Sequence, residues 1–276
     1  RLTVQLVDVK VTADGYAFGF ANFERWVEMC RRCGVEYIEI SHLFSQWGAT
    51  MAPKIMGEKD GQLVQLFGWD TDATGPEYRD FMHQFLTSLT RELEKLGIAD
   101  KTYFHVSDEP TDEQFESYKA AKEMVEKDLK GYQMIDALSS YGFFEKGVVS
   151  QPICSVDHIQ PFLEKRPEKL WGYYCTAQYL DVSNRFIAQP GYRTRILGTQ
   201  LYKYQLDGFL HWGYNFYNAE HSIFTIDPYR CTDAAGAFPS GDPFLVYPGA
   251  DGVPEESMRI MLMDEAMSDL CAMNYL

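Results

Sequence analysis

Two adjacent carboxylates, Asp108 and Glu109, close the apolar run YFHVSDEP at 103–110, and Pro110 follows them directly. Carboxylates serve bond hydrolysis as proton donors and acceptors when their surroundings tune them. Their adjacency narrows the chemistry. Neighbouring residues of an extended segment point to opposite faces, whereas the acid and nucleophile of an ordinary retaining glycosidase flank one bond, about 5 Å apart. Adjacent acids suit instead a substrate-assisted route on a 2-acetamido sugar, in which the sugar's own carbonyl attacks the anomeric carbon. One acid then protonates the leaving oxygen and the other holds the acetamido N–H. A plainer reading is also open, because acids ahead of a helix favour its positive end and SDEPTDEQ is rich in them. Yet Thr111 and Gln114 are placed to form a capping box with Asp112 and Glu113 in the first turn, which leaves Asp108 and Glu109 surplus to that need. Pro110 is expected to hold Glu109 extended.

Other polar and aromatic candidates also close or follow apolar runs. His42, Gln46 and Trp47 belong to HLFSQWG; Asp136 to YQMIDALSSYGFF; Asp157 and His158 to SVDH; Tyr174 and Gln178 to LWGYYCTAQ; His211, Trp212, Tyr214 and Asn215 to LHWGYNFYN; and Asp242 to SGDPF. Flat rings, amides and acids with few cations suit a sugar, whose C–H faces stack on aromatics while its hydroxyls pair with polar groups. For any single ring, core packing is an equal alternative. Trp212 and Tyr174 are expected as a stacking floor. Tyr214, Asn215 and Gln178 are expected to bond the acetamido group or ring, and Asp157, His158, His42 and Asp242 to read hydroxyls. His42, His105, His158 and His211 lie on different strands, as metal ligands would, but no HxH pair joins them; no metal and no other cofactor is expected.

The elements that must position these residues alternate. Strand-like runs fall at 2–11, 35–43, 101–107, 132–139, 148–156, 169–177 and 207–216, and helical runs at 22–33, 77–97, 112–129, 157–165 and 184–206. A long loop is expected after 35–43, another over 218–256, and a closing helix over about 254–272. Continuously apolar strands between helices indicate a parallel sheet covered by helices. GxGxxG after a strand and GxxxxGK[ST] are both lacking, which removes support for dinucleotide and P-loop folds. A single-domain α/β chain, 1–276, built as a (β/α)8 TIM-like barrel fits best, with working residues at the carboxyl ends of the strands. The eighth strand is either FLVYPG at 244–249 or lies upstream of Arg1.

Composition bounds the partners. The 276 residues are 46% hydrophobic and 24% charged, enough for a large core. A net charge of -15 without a basic cluster disfavours nucleic acid. No apolar run of about 18 residues offers a membrane span. Six scattered cysteines are no disulfide framework, and the one close pair, Cys30 and Cys33 of CRRC, ends an amphipathic run and reads as packing. Arg1 opens inside strand-like sequence, with neither Met nor a leader, so a removed N-terminus is expected; the compartment leans to the cytoplasm.

Taken together, the SDEP strand end, HLFSQWGA, LWGYYC, DGFLHWGYNFYN and FPSGDPFLVYPG resemble the catalytic domain of glycoside hydrolase family 123 and its bacterial relatives, from about residue 20 to the end. The resemblance implies a (β/α)8 barrel and a retaining, substrate-assisted β-N-acetylgalactosaminidase-like activity, a β-N-acetylhexosaminidase in the wider sense. On that match Asp108 orients the acetamido group and Glu109 is the general acid, then base. The family's acidic pair ends strand four, but here it ends the third run, which favours a strand missing upstream. The N-terminal β-sandwich usual in the family is not expected within these residues. A non-catalytic carbohydrate-binding barrel is the alternative.

Overall fold

Strand and helix alternate through most of the chain, but two runs expected to be parallel strands fold back as hairpins. In the computed structural model, which describes residues 4–276, the chain divides into the units Val4–Pro152 and Ile153–Leu276.

The first unit opens with the hairpin β1 (Asp8–Thr12) and β2 (Gly15–Gly19), then α1 (Ala21–Arg32) and β3 (Ile38–Glu39). A second hairpin, β4 (Ile55–Lys59) and β5 (Gln62–Phe67), lies within the expected loop. Its turn is Asp60-Gly61 with φ of 53° and 77°, the left-handed pair that suits a two-residue hairpin turn. Then follow α2 (Pro76–Leu96), β6 (Thr102–Phe104), α3 (Phe115–Val125), β7 (Gln133–Leu138) and α4 (Gly142–Glu145). The hairpins join in the order β2-β1-β4-β5, while β3, β6 and β7 pair in parallel. The run at 2–11 is therefore a hairpin arm; its residues 2 and 3 lie outside the described residues.

Helix α2 explains why the hairpins stay folded down. It starts at Pro76, where a missing N–H costs nothing, and stops at Gly97, left-handed with φ 65°. Between them Tyr78, Phe81, Met82, Leu86, Leu89 and Leu93 make one buried stripe. Phe81 meets Tyr16 of β2 and Phe67 of β5 at ring-centroid distances of 5.0 and 4.9 Å.

The second unit carries β8 (Gln151–Ser155, beginning at the boundary), α5 (Gln160–Glu164), β9 (Trp171–Tyr173), α6 (Tyr192–Arg195), α7 (Leu197–Tyr204), β10 (Gly208–Leu210), β11 (Val246–Pro248), β12 (Pro254–Glu256) and α8 (Met258–Tyr275). Strands β8, β9 and β10 are parallel. The run FLVYPG is not an eighth parallel strand, because β11 turns back antiparallel onto β12. The helix expected over 184–206 is confined to α6 and α7, with Pro190 and Gly191 at its start. This is a mixed α/β fold with a three-strand parallel series in each unit.

Helices α7 and α8 approach so closely that a Cβ on Gly198 would stand 1.8 Å from Ala266 O. Gly198→Ala must push them apart and is expected to cost about 2 kcal/mol or more, read as a lower urea midpoint at unchanged slope.

Candidate active site

Strand β6 ends at Phe104, but the backbone beyond it stays clamped. Leu43 and Phe44 donate N–H groups to His105 O and Val106 O at 3.1 Å each, and Trp47 donates to Asp108 O at 2.9 Å. On the other side Glu109 N–H donates to Ala137 O at 3.1 Å. The acidic pair thus sits at the carboxyl end of the parallel series β3-β6-β7, where acids of α/β folds do chemistry.

Glu109 is not extended. Its φ is 44°, in the left-handed region, and Trp47 and Ala49 share that region at 57° and 54°. A following proline ordinarily pushes a residue toward extended geometry, and Glu109 departs from that preference while its N–H bonds Ala137 O. Each such residue costs roughly 1 to 2 kcal/mol, a strain found where a side chain must be aimed. Gly48, at φ 102°, belongs to the same turn, and a Cβ there would come 2.8 Å from the Gln114 side chain. Gln114 forms the expected capping box with Thr111.

Asp108 and Glu109 are both half-buried. Gln46 Nε2 donates to Asp108 Oδ2 at 3.2 Å, and His42 Nε2 lies 3.9 Å from Oδ1. Trp47 is 51% exposed, its ring open to solvent. Four expected site residues of this unit, His42, Gln46, Trp47 and Asp108, therefore come together with Glu109.

Asp136 is different. It is 1% exposed and accepts from Val106 N–H at 3.1 Å through both oxygens, from Tyr118 Oη, and from His105 Nδ1 at 3.3 Å. An acid so enclosed holds the acidic segment from beneath and is not open to a ligand. His105, also enclosed, bonds Glu39 through Nε2. Burial alone would lower its pKa, but the bonds to Asp136 and Glu39 outweigh that and raise it to about 9. Glu39 would rise by burial; the His105 charge holds it below the usual carboxylate range. His42, whose ring centroid lies 4.8 Å from that of His105, is lowered by desolvation and by the same positive charge. Neutral His42 therefore stands over charged His105.

Ligand atoms of His42, His105 and Asp136 fall within 4.8 Å of one another, a grouping that would suit a cation. Both His105 nitrogens already face carboxylates, and both Asp136 oxygens already accept hydrogen bonds. A cation would have to displace them.

In the second unit, Asp157 follows β8, and its Oδ1 meets His158 Nδ1 at 3.0 Å and Gln178 Nε2 at 3.3 Å. Burial would raise Asp157, but the bonds to His158 and Ser155 lower it overall. Gln178, 4% exposed, spends its oxygen on Cys175 N–H at 2.9 Å, so it braces Asp157 and presents no free amide. Past β10, Trp212 and Tyr214 are 41% and 53% exposed and Asn215 is exposed. Tyr174, expected in a stacking floor, is fully buried instead: its ring packs on Phe209 and His211 at 4.7 and 5.5 Å, within a core of Leu197, Leu201 and Ala266. Asp242, at 0% exposure, and the enclosed His211 lie behind Trp212 and are not at the surface as hydroxyl readers would be.

The family model for the catalytic domain of glycoside hydrolase 123 matches residues 1–276. The chain belongs to glycoside hydrolase family 123. Among solved structures it is similar to a family 123 glycoside hydrolase from Clostridium perfringens, studied for glycolipid glycan hydrolysis, with a TM-score of 0.74 and 16% identity over 98% of this chain. The chain spans 48% of that structure's length, and at this identity the likeness speaks for the fold alone. No curated protein gives a significant match. The family 123 match is to the catalytic domain of that family.

Sequence reasoning about this family 123 chain missed Glu39, Tyr118 and Arg185. Glu39 carried a signal, an acid inside the apolar run YIEI. Tyr118 and Arg185 carried none, since their burial is decided by residues far along the chain.

His105 gives stability a pH window. Its folded pKa is raised to about 9 from 6.5, so its contribution is full below 6.5 and lost as pH rises through 9. His211 has the opposite sign: burial lowers it to about 4, so its contribution is full above 6.5 and lost as pH falls toward 4. Urea midpoints are expected to peak near pH 6.5. His105→Gln should lower stability there by on the order of 3 kcal/mol and flatten the alkaline limb; an unchanged alkaline limb would contradict the charged His105.

Proposed function

We propose that the chain is a retaining glycosidase that cleaves 2-acetamido-2-deoxy-β-hexosides, of the N-acetylgalactosaminide type, by substrate assistance. The observation that carries this is the adjacency of Asp108 and Glu109 at one strand end, both half-buried, with Asp108 held by Gln46 beside His42 and Glu109 in a left-handed backbone conformation. Two neighbouring acids suit two tasks on one sugar better than an acid and a nucleophile on opposite sides of one bond. Family 123 membership supports the reaction class, and the glycolipid glycan hydrolysis studied for the Clostridium perfringens relative supports an oligosaccharide substrate. For the architecture, the family carries the reading of a (β/α)8-type barrel, which the parallel strands support.

In the first step the acetamido oxygen attacks the anomeric carbon as the glycosidic C–O bond breaks. Glu109 gives its proton to the leaving oxygen, while Asp108 accepts a hydrogen bond from the acetamido N–H and favours the charge growing on that group. In the second step the Glu109 carboxylate takes a proton from water, whose oxygen attacks the anomeric carbon and restores the acetamido group. Two displacements give net retention. Gln46 donates to the Asp108 carboxylate and helps to orient it, with His42 beside it. Trp212 offers an exposed ring for the sugar's C–H face. Trp47, Tyr214, Asn215, Asp157 and His158 are the proposed polar and aromatic contacts.

The test compares wild type, Glu109→Gln and Asp108→Asn on aryl β-glycosides with a 2-acetamido or a 2-hydroxy group. Cleavage confined to the acetamido members is expected, with each substitution lowering kcat by about 10²-fold or more. Cleavage of the 2-hydroxy glycosides would contradict the assisted route. Sugar binding without any cleavage by wild type would favour a non-catalytic carbohydrate-binding module.

A further inference from the structure

Asp242 was expected to read sugar hydroxyls, but its surroundings assign it another task. Its carboxylate is wholly buried and accepts from two consecutive residues of the segment after β10: Trp212 Nε1–H reaches Oδ2 at 2.9 Å, and His211 Nε2 lies 3.2 Å from Oδ1. The His211 tautomer follows from a third bond. Gly213 N–H donates to His211 Nδ1 at 3.0 Å, which makes Nδ1 the acceptor and leaves the ring proton on Nε2, facing Asp242. Both Asp242 oxygens are thus used by N–H donors.

The loop bearing Asp242 is itself fixed. Arg185, 1% exposed, donates to Asp242 O at 2.8 Å and also to Gly213 O, joining the two segments. Arg259 donates to Gly241 O and, at 2.8 Å, to Phe244 O. The backbones touch at Gly213, where a Cβ would stand 2.7 Å from both Asp242 O and Pro243 O. Meanwhile Phe216 and Phe238 pack against the Trp212 ring in T-shaped contacts, each at 5.2 Å. The indole is held at its N–H and by two rings, and it is still 41% exposed.

We propose that Asp242 is a positioning residue: by holding the Trp212 indole N–H it fixes that ring as a rigid platform for the sugar's C–H face, and it does not itself touch the sugar. This rests on the reading that the substrate stacks on Trp212. A ring locked before binding loses less freedom when the sugar arrives, so the effect falls on affinity. Asp242→Asn keeps one acceptor for two N–H donors and so frees one of them.

The experiment is a double-mutant cycle of Asp242→Asn and Trp212→Ala on an aryl 2-acetamido-β-glycoside, with far-UV circular dichroism and urea midpoints as folding controls. Asp242→Asn is expected to raise KM about tenfold with kcat within about threefold. In the Trp212→Ala background it should add nothing further. Additive losses, or an unchanged KM, would overturn the proposal. The indole Nε1–H resonance of Trp212 gives a readout that needs no turnover: Asp242→Asn should shift it and speed its exchange with solvent. If wild type neither cleaves nor binds 2-acetamido sugars, the glycosidase reading falls while this resonance still decides the role of Asp242. An unmoved resonance would overturn that role even in an active enzyme.

Discussion

A carboxylate with almost no access to water can persist only if donors replace the water, and Asp136 is placed on that condition. Val106 N–H, Tyr118 Oη and His105 Nδ1 all converge on it. Losing any one would leave part of a buried charge uncompensated, a cost of several kcal/mol. The requirement fixes three things at once: the height of β7, the face that α3 presents, and the backbone that runs from β6 to Asp108. The acidic pair is therefore aimed by a polar network beneath it as much as by the strand it follows. Glu39 extends the network, so that charged His105 lies between two acids and His42, next above, stays neutral.

The second unit repeats the device with other residues. Asp242 is buried among N–H donors and beside the guanidiniums of Arg185 and Arg259, and the residue it steadies is an aromatic ring. In both units the enclosed acid is one step removed from the surface group that can meet a ligand. Rigid support behind a site is what allows donors and rings to be in place before the substrate binds. The strain stored at Trp47, Ala49 and Glu109 fits the same arrangement, since left-handed residues persist only where neighbours over-determine them.

Much of this was legible in the sequence. The stripe of α2, the capping box at Thr111 and Gln114, the parallel strands β6 and β7, and the acidic pair at a strand end follow from periodicity and local chemistry. The β4–β5 hairpin was signalled by Asp60-Gly61 but overlooked, because its strands alternate weakly between apolar and polar residues. The run at 2–11 read as one continuous strand, although it turns back two residues after Thr12. The division between open and enclosed acids could not be read. Asp157 and Asp242 look alike in sequence, and what separates them is supplied by Arg185, Trp212 and Gly213, far away along the chain. The same holds for Tyr174, where packing by Leu197, Leu201 and Ala266 decided between core and surface.

The central claim, a reaction driven by the substrate's own acetamido oxygen with Asp108 and Glu109 in separate roles, is tested most directly by weakening that oxygen as a nucleophile. Aryl 2-acylamido-β-glycosides carrying zero, one, two or three fluorines on the acyl methyl group change little in shape but steadily lose carbonyl basicity. The account predicts that kcat/KM falls steeply with each fluorine in wild type. A flat dependence across the series, in an enzyme that turns over every member, would contradict it.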